Sequence, residues 1–271
     1  MEALERIGVF DSGLGGLTVL NRCMDILPDE AFLYYADTDN VPYGDKTREE
    51  IIEYVDSAVD YMKAHSCKAF VIACNSATSA GVDYLREKYK GEIIVSIEPA
   101  VKPAILEHAH GGKVLVLATK VTIEGRKLTD LIDLYDKDNI VVKRAMPELA
   151  MLAERGVFDT DVIVPHLKGE LEGLELKDFD VVVLGCTHFP FFYDSFKILM
   201  PWADVIDGSE GVARQLGREL ERLDKKAAER YFSRNNRVVY VDSGRELDSI
   251  KRAKYIRSLN DRLELLDNLK K

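Results

Sequence analysis

Along the chain, short uninterrupted apolar runs alternate with longer stretches in which apolar residues recur every three or four positions. The runs predict buried strands, and the recurring spacing predicts amphipathic helices. Strands are predicted at 6–10, 32–36, 69–73, 93–97, 114–118, 140–142, 181–184, 203–206 and 238–241. Helical spacing separates most of these runs. Because strands that alternate with helices form largely parallel sheets, the chain is predicted to have an α/β fold.

Helices are expected where apolar residues recur at helical spacing, and the end of the chain is set apart by its charge. Helices are predicted after the first strand, after Cys74, and at 48–64, 101–108, 124–135, 148–155, 161–171, 191–199 and 210–223. From Glu246 onward the tail is rich in charged residues. That composition predicts a terminal helix that is mostly solvated.

Two of the predicted strands end at a cysteine that small polar residues follow. One stretch reads VIACNSATSA around Cys74, and the other reads VVVLGCTHFP around Cys186. Ligands of open α/β sheets bind at the carboxyl ends of strands, so each thiol is expected at the mouth of a site. The two cysteines are too far apart in sequence for one βα unit. They predict two similar lobes, each a mostly parallel sheet flanked by helices, with the active site between them.

Two turns carry further candidates. The first strand runs into Asp11 and the glycine-rich sequence DSGLGG, whose glycines allow the backbone to approach a small ligand closely. Their spacing is not the G-x-G-x-x-G of a dinucleotide site. After the second strand come DTDN and then Pro42, Tyr43 and Gly44, which predict an ordered turn.

Charge and composition narrow the possible partners. The chain has 271 residues and a net charge of −10, so nucleic acid is not expected as its main partner, and any bound anion must be held by local donors. No apolar run is long enough for a membrane helix, and the N-terminus lacks the features of a signal peptide, so no membrane partner and a cytoplasmic location are expected. The four cysteines have no metal-ligand spacing, which predicts free thiols and no metal site.

Two thiols that face one site from opposite lobes suit racemisation at an amino-acid α-carbon, because one removes a proton from one face while the other supplies a proton to the opposite face. A free thiol is only about 3% ionised at pH 7, so each needs a partner. Asp11 can lie near Cys74, and His188 follows Cys186 by two residues.

The motifs DSGLGG, PYG, ACNSATS and GCTHFP, in this order, resemble those of the glutamate racemases, which belong to the cofactor-independent aspartate/glutamate racemase superfamily. The resemblance implies that Cys74 and Cys186 are the acid/base thiols, serving D- and L-glutamate respectively, with assistance from Asp11, His188 and Glu154. It also implies a substrate-binding set, which comprises Ser12, Pro42, Tyr43, Gly44, Asn75, Ser76, Thr119, Thr122, Thr187 and His188.

The same resemblance implies several properties of the whole protein. The substrate would be glutamate, no cofactor would be needed, and the D-glutamate would supply peptidoglycan synthesis. A homodimer is expected. Residues 1–97 with 208–271 would form the first domain, which carries Cys74, and residues 98–207 would form the second, which carries Cys186.

Other functions stay open at the level of sequence. A racemase of the same superfamily could act on aspartate or a hydantoin, although aspartate racemases usually have Glu where this chain has His188. A thiol hydrolase would use Cys186 and His188 but would leave Cys74 unexplained. A non-catalytic ligand-binding protein on the same scaffold is the alternative from another class.

Overall fold

A computed structural model of the protein describes residues 5–227, 237–247 and 260–268. The strands are β1 Arg6–Asp11, β2 Phe32–Ala36, β3 Cys67–Ile72, β4 Ile93–Ser96, β5 Lys113–Ala118, β6 Val141–Ala145, β7 Phe179–Gly185, β8 Asp204–Asp207, β9 Val238–Asp242 and β10 Arg245–Glu246. The α-helices are α1 Leu17–Ile26, α2 Arg48–Ala64, α3 Asn75–Lys88, α4 Val101–Pro103, α5 Lys120–Glu124, α6 Arg126–Tyr135, α7 Leu149–Glu154, α8 Thr160–Glu170, α9 Tyr193–Leu199 and α10 Ser209–Arg222. Residues 260–268 are also helical.

The strands form two sheets. The first has the order β10-β9-β2-β1-β3-β4, and only β10 in it runs antiparallel to its neighbour. The second has the order β6-β5-β7-β8 and is entirely parallel. The predicted α/β fold with two parallel-sheet lobes is therefore confirmed. The domain limits at residues 97, 98, 207 and 208 stay a prediction.

The strand register brings the candidate residues to one edge of each sheet. In the first sheet Phe10 pairs with Ile72, so Asp11 and Cys74 leave neighbouring strands on the same side. In the second sheet Ala118 pairs with Gly185, so the residues after β5 and β7 do the same. Parallel pairing alone thus gathers each lobe's polar residues at its carboxyl edge.

Local sequence explains where α2 begins and which face it buries. The Thr47 hydroxyl accepts from the Glu50 N–H at 3.3 Å, while the Glu50 carboxylate accepts from the Thr47 N–H at 2.8 Å. This capping box satisfies N–H groups that have no partner within the helix. Three apolar side chains on one helical face are fully buried, namely Ile51, Val55 and Val59. They hold α2 against the first sheet.

Two predicted elements differ in part from the structure. The helix expected over 124–135 is present as α6 but begins at Arg126, because Gly125 adopts an extended conformation (φ −67°, ψ 139°) that separates it from α5. Of the tail that was expected to be a mostly solvated helix from Glu246 onward, residues 248–259 and 269–271 lie outside the described residues, and the described part differs from the expectation in two ways. Arg245–Glu246 forms β10, and Leu263 and Leu266 are buried in a core shared by both lobes, because residues 260–268 dock on the protein.

Across the three ranges that the structure describes, no helix is both long enough and apolar enough to cross a bilayer.

A buried ion pair holds the segment that follows α10 against the first sheet. Lys68 on β3 and Glu30 are nearly inaccessible to solvent, and their Nζ and Oε2 atoms are 2.8 Å apart. Lys68 Nζ also donates to the Lys225 carbonyl at 2.6 Å, and Glu30 Oε1 accepts from the Ala227 N–H at 2.8 Å. Both charges are therefore desolvated and partnered within the protein.

We expect Lys68→Met to reduce the free energy of unfolding by about 3–5 kcal/mol, because the substitution leaves the Glu30 carboxylate buried without its counter-charge. Urea unfolding followed by circular dichroism measures the loss. Lys90→Met is the matched control, since it breaks the exposed pair with Glu87 and should cost less than about 1 kcal/mol. Equal losses in the two variants would contradict a stabilising role for the buried pair.

Candidate active site

A cleft of about 520 Å³ lies between the two lobes. It receives residues that follow β1, β3, β5 and β7. Its lining comprises Ser12, Val41, Pro42, Tyr43, Gly44, Asp45, Cys74, Asn75, Ser76, Thr119, Lys120, Pro147, Ala150, Cys186, Thr187 and His188. Both cysteines are buried and unbridged, as are the other two of the chain, so the predicted free thiols are confirmed.

Cys74 caps the N-terminus of α3. Its Sγ accepts from the Ala77 N–H at 3.4 Å and lies 3.5 Å from Ser12 Oγ, to which the thiol donates. Burial and, after it, the charge of Asp11 raise the pKa of Cys74 to about 12. At neutral pH Cys74 is consequently a protonated thiol, which is the form of an acid.

Cys186 has a different partner. Its Sγ lies 3.7 Å from His188 Nδ1, and His188 Nε2 lies 2.6 Å from Glu154 Oε1. Because a carboxylate only accepts hydrogen bonds, Nε2 carries the proton at this contact. The N–H of Gly15, 3.2 Å from the same nitrogen, therefore does not donate to it.

The environment of His188 favours its protonated form. Burial by itself would lower the pKa of His188, but its hydrogen bonds with Cys186 and Glu154, together with their charges, raise this pKa well above its usual value. His188 can therefore keep a proton beside Cys186. Glu154 is a side chain with only 11% exposure at the end of α7, and not the solvated surface residue that a helical glutamate usually is.

Asp11 connects the two lobes. Its carboxylate accepts from the Gly13 N–H at 3.1 Å and from the Thr187 hydroxyl at 3.0 Å. Burial raises the pKa of Asp11, while the charge of His188 and the surrounding hydrogen bonds act in the opposite direction. The Asp11 charge influences Cys74, as expected from the sequence, but its direct side-chain bond is to the residue after Cys186.

The glycine-rich turn fits tightly against these groups. A Cβ at Gly13 would lie 1.9 Å from Glu154 Oε1, and one at Gly15 would lie 2.4 Å from Thr187 Oγ1. Between these two glycines, the N–H of Leu14 donates to Glu154 Oε1 at 2.8 Å. The glycines therefore let the first lobe's backbone hold the carboxylate of the second lobe.

Amide and hydroxyl groups cover another wall of the cleft. Ser76 Oγ and Thr119 Oγ1 are 2.9 Å apart and belong to different lobes. Thr119 Oγ1 in turn contacts Thr122 Oγ1 at 3.1 Å. The Asn75 side chain is buried, and neither its oxygen nor its nitrogen has a hydrogen-bond partner within the described parts of the chain. An unpartnered buried amide that lines a cleft is suited to bind a polar ligand.

The structure brings most of the predicted site residues together. All of them line the cleft except Asp11, Glu154 and Thr122. Asp11 and Glu154 do not line the cleft themselves. Asp11 hydrogen-bonds to Thr187 and Glu154 to His188, both of which do. Thr122 lines a neighbouring cavity of about 250 Å³ instead.

Five further residues line the cleft but were not predicted from the sequence, namely Val41, Asp45, Lys120, Pro147 and Ala150. Val41 and Asp45 flank the PYG motif, and Lys120 follows Thr119, so adjacency to a motif was a usable signal for them. Pro147 and Ala150 precede Glu154 by only a few residues. They carry no polar group to signal a site, and only the approach of α7 to the cleft reveals them.

The chain matches a known protein family. The family model described as Asp/Glu/Hydantoin racemase matches residues 16–216. The chain belongs to this family. A glutamate racemase of Lachnospira eligens is 45% identical over 264 residues, which covers 96% of this chain and 98% of the relative.

Solved structures of glutamate racemases share the fold. That of Thermus thermophilus, in complex with beta-chloro-D-alanine, has a TM-score of 0.76 and 30% identity over 97% of this chain and 94% of its own. That of Escherichia coli, in complex with L-glutamate and the activator UDP-MurNAc-ala, has a TM-score of 0.74 and 29% identity over 88% of each chain. The resemblance predicted from the four motifs is confirmed.

Proposed function

We propose that this member of the racemase family interconverts L- and D-glutamate by proton transfer at the α-carbon, with Cys74 and Cys186 as the two acid/base groups. The observation that carries the proposal is the pair of thiols lining one cleft, each at the carboxyl edge of a different sheet. One thiol takes the α-proton from one face while the other delivers a proton to the opposite face.

The two thiols have different neighbours, and the difference suits one direction of reaction. The raised pKa of Cys74 keeps a proton on its sulfur, and the raised pKa of His188 lets the imidazole hold the proton that Cys186 gives up. In this state Cys186 removes the α-proton of L-glutamate and Cys74 supplies one to form the D enantiomer. The reverse reaction starts from the complementary state, with the thiolate at Cys74.

Glutamate fits the polar lining of the cleft. Asn75 offers an amide that has no hydrogen-bond partner among the described residues, and the hydroxyls of Ser12, Ser76, Thr119 and Thr187 line the same cleft. These groups can bind the carboxylates and ammonium of an amino acid that the negatively charged protein does not attract from a distance. The Escherichia coli relative, crystallised with L-glutamate, supports this substrate.

The remaining expectations are part of the same proposal. A cytoplasmic location and a supply of D-glutamate for peptidoglycan follow from the resemblance to glutamate racemases. So does a homodimer, for which the exposed side chains of Ile198 and Trp202 on the second lobe are available. Sedimentation equilibrium of the purified protein tests the dimer.

The proposal predicts that the purified protein abolishes the circular dichroism of L-glutamate with no added cofactor, because racemisation ends at equal amounts of two enantiomers. The same decay should be seen with D-glutamate, and none with L-aspartate under identical conditions. Faster racemisation of aspartate than of glutamate would instead support the alternative that the chain is an aspartate racemase of the same superfamily. An unchanged signal with both amino acids, from folded protein, would support a non-catalytic binding role.

A further inference from the structure

The turn that follows β2 carries the sequence DTDN, to which the proposed reaction assigns no task. The Asp37 carboxylate is buried and accepts from the Tyr43 hydroxyl at 2.6 Å and from Asn40 Nδ2 at 3.0 and 3.1 Å. The Asp37 N–H donates to the Asp11 carbonyl at 3.0 Å. Tyr43 lines the cleft, so this turn sets the position of one wall of the site.

The turn is held from its other side by the loop between β9 and β10. The Thr38 hydroxyl donates to Asp242 Oδ1, and the Asp39 N–H donates to the Ser243 hydroxyl at 3.1 Å. The Ser243 N–H donates to the Ala36 carbonyl at 2.8 Å, which continues the pairing of β9 with β2 beyond the strand end. Backbone and side-chain bonds thus join the hairpin to successive residues of the turn.

Arg245 adds a two-pronged ion pair to this contact. Its Nη2 lies 2.8 Å from both carboxylate oxygens of Asp39. Tyr35 lies beside the same charges, since burial and then Asp37 raise the pKa of its phenol to about 12, with Arg245 acting in the opposite direction. Hairpin and turn therefore form one packed cluster next to the cleft wall. The hairpin lies beyond residue 216, where the match to the racemase family ends.

We infer that the β9–β10 hairpin is a positioning element of the active site, which fixes the Asp37–Asn40 turn and thereby the wall that Tyr43 and Gly44 present to the substrate. The inference rests on the proposed racemase function. The hairpin's bonds reach the turn that holds Tyr43 and, among the described residues, neither thiol, so loosening it should weaken substrate binding and spare proton transfer. Such a change raises KM and leaves kcat nearly constant.

The test is Arg245→Asp, which replaces the ion pair with repulsion between the new carboxylate and Asp39. We expect KM for L- and D-glutamate to rise about three- to tenfold, with kcat within about twofold of wild type. Because the two enantiomers have equal free energy, kcat/KM must fall by the same factor for both, which checks the data internally. Combining Arg245→Asp with Asp39→Arg restores the pair in reverse and should return KM to near the wild-type value.

Arg214→Asp is the control, because it makes the same charge change at a matched exposed pair. The Arg214 and Glu210 side chains are 62% and 50% exposed, against 63% and 57% for Arg245 and Asp39. Equal KM values for the two single variants would overturn the inference. So would a fall in kcat or melting temperature at constant KM, or failure of the charge swap to restore KM.

The same assay separates this inference from the function on which it rests. If wild type racemises glutamate and the hairpin variants match it, only the positioning role is overturned. If wild type has no turnover, the proposed function fails, and calorimetric titration with D-glutamate then decides the positioning role from the Kd values of the same variants. Equal Kd values, or no binding by any variant, would overturn it.

Discussion

Replacing either Cys74 or Cys186 with serine is expected to suppress racemisation of both L- and D-glutamate by at least about 10²–10⁴-fold. Each direction needs one thiol as base and the other as acid, and a serine hydroxyl ionises far less readily than a thiol. Circular dichroism with either pure enantiomer measures the rates. Cys67→Ser, which changes a buried thiol outside the cleft lining, is the matched control and should retain activity.

Isotope incorporation distinguishes two thiols from one base. In heavy water, a reaction started from L-glutamate should give early D product that carries deuterium, while the remaining L substrate stays nearly unlabelled. In the proposed mechanism Cys186 removes protium from the substrate, and Cys74 delivers a solvent deuteron from the other side. Substantial early deuterium in unreacted L-glutamate would indicate one exchanging base that reaches both faces, and would contradict the two-thiol mechanism.

His188→Asn is expected to lower kcat by about 10²–10⁴-fold, because Cys186 loses the group that holds its proton. The pH profile should change with it. In the wild type the raised pKa of His188 keeps the imidazolium present to a higher pH than an ordinary histidine would, and activity that needs it is lost as pH rises through that pKa. This high-pH limb should disappear in the variant.

Glu154→Gln tests the cause of that raised pKa. The amide keeps the size of the side chain but removes the negative charge 2.6 Å from His188 Nε2. The pKa of His188 should fall, so the high-pH loss of activity should move to lower pH. Glu148→Gln, at the exposed first end of the same helix α7, is the control and should leave the profile unchanged. Identical profiles for both variants would remove Glu154 from the acid/base system.

Local sequence was sufficient to predict the strands β1 to β9, most helices and the positions of the two thiols at strand ends. Cys74 and Cys186 follow apolar runs at strand ends, and parallel strands present their carboxyl ends to one edge, so a cleft with both thiols follows from pattern and topology. The glycines of DSGLGG and the PYG turn were likewise visible as local breaks. Helix ends that depend on one residue's backbone conformation, such as Gly125, were less predictable.

The partner of each charged group was decided by tertiary structure. Sequence adjacency suggested Asp11 for Cys74, but the direct bond of that carboxylate is to Thr187 of the other lobe. Nothing local to Glu154 distinguishes it from a solvated helical glutamate. Only the packing of α7 against the glycine-rich turn buries it between Leu14 and His188.

The tail shows most clearly the difference between what local sequence predicts and what tertiary structure decides. Its charge pattern predicted a solvated helix and does not indicate the core in which Leu263 is buried. Likewise, the sequence around Arg245, just before the tail, does not indicate its ion pair with Asp39. Hydrophobic periodicity determines which face of an element is buried, because it depends on neighbours a few residues away. Hydrogen-bond partners, burial of a charge and the pKa that results depend on residues distant in sequence, and these are set only when the two sheets and the returning chain pack together.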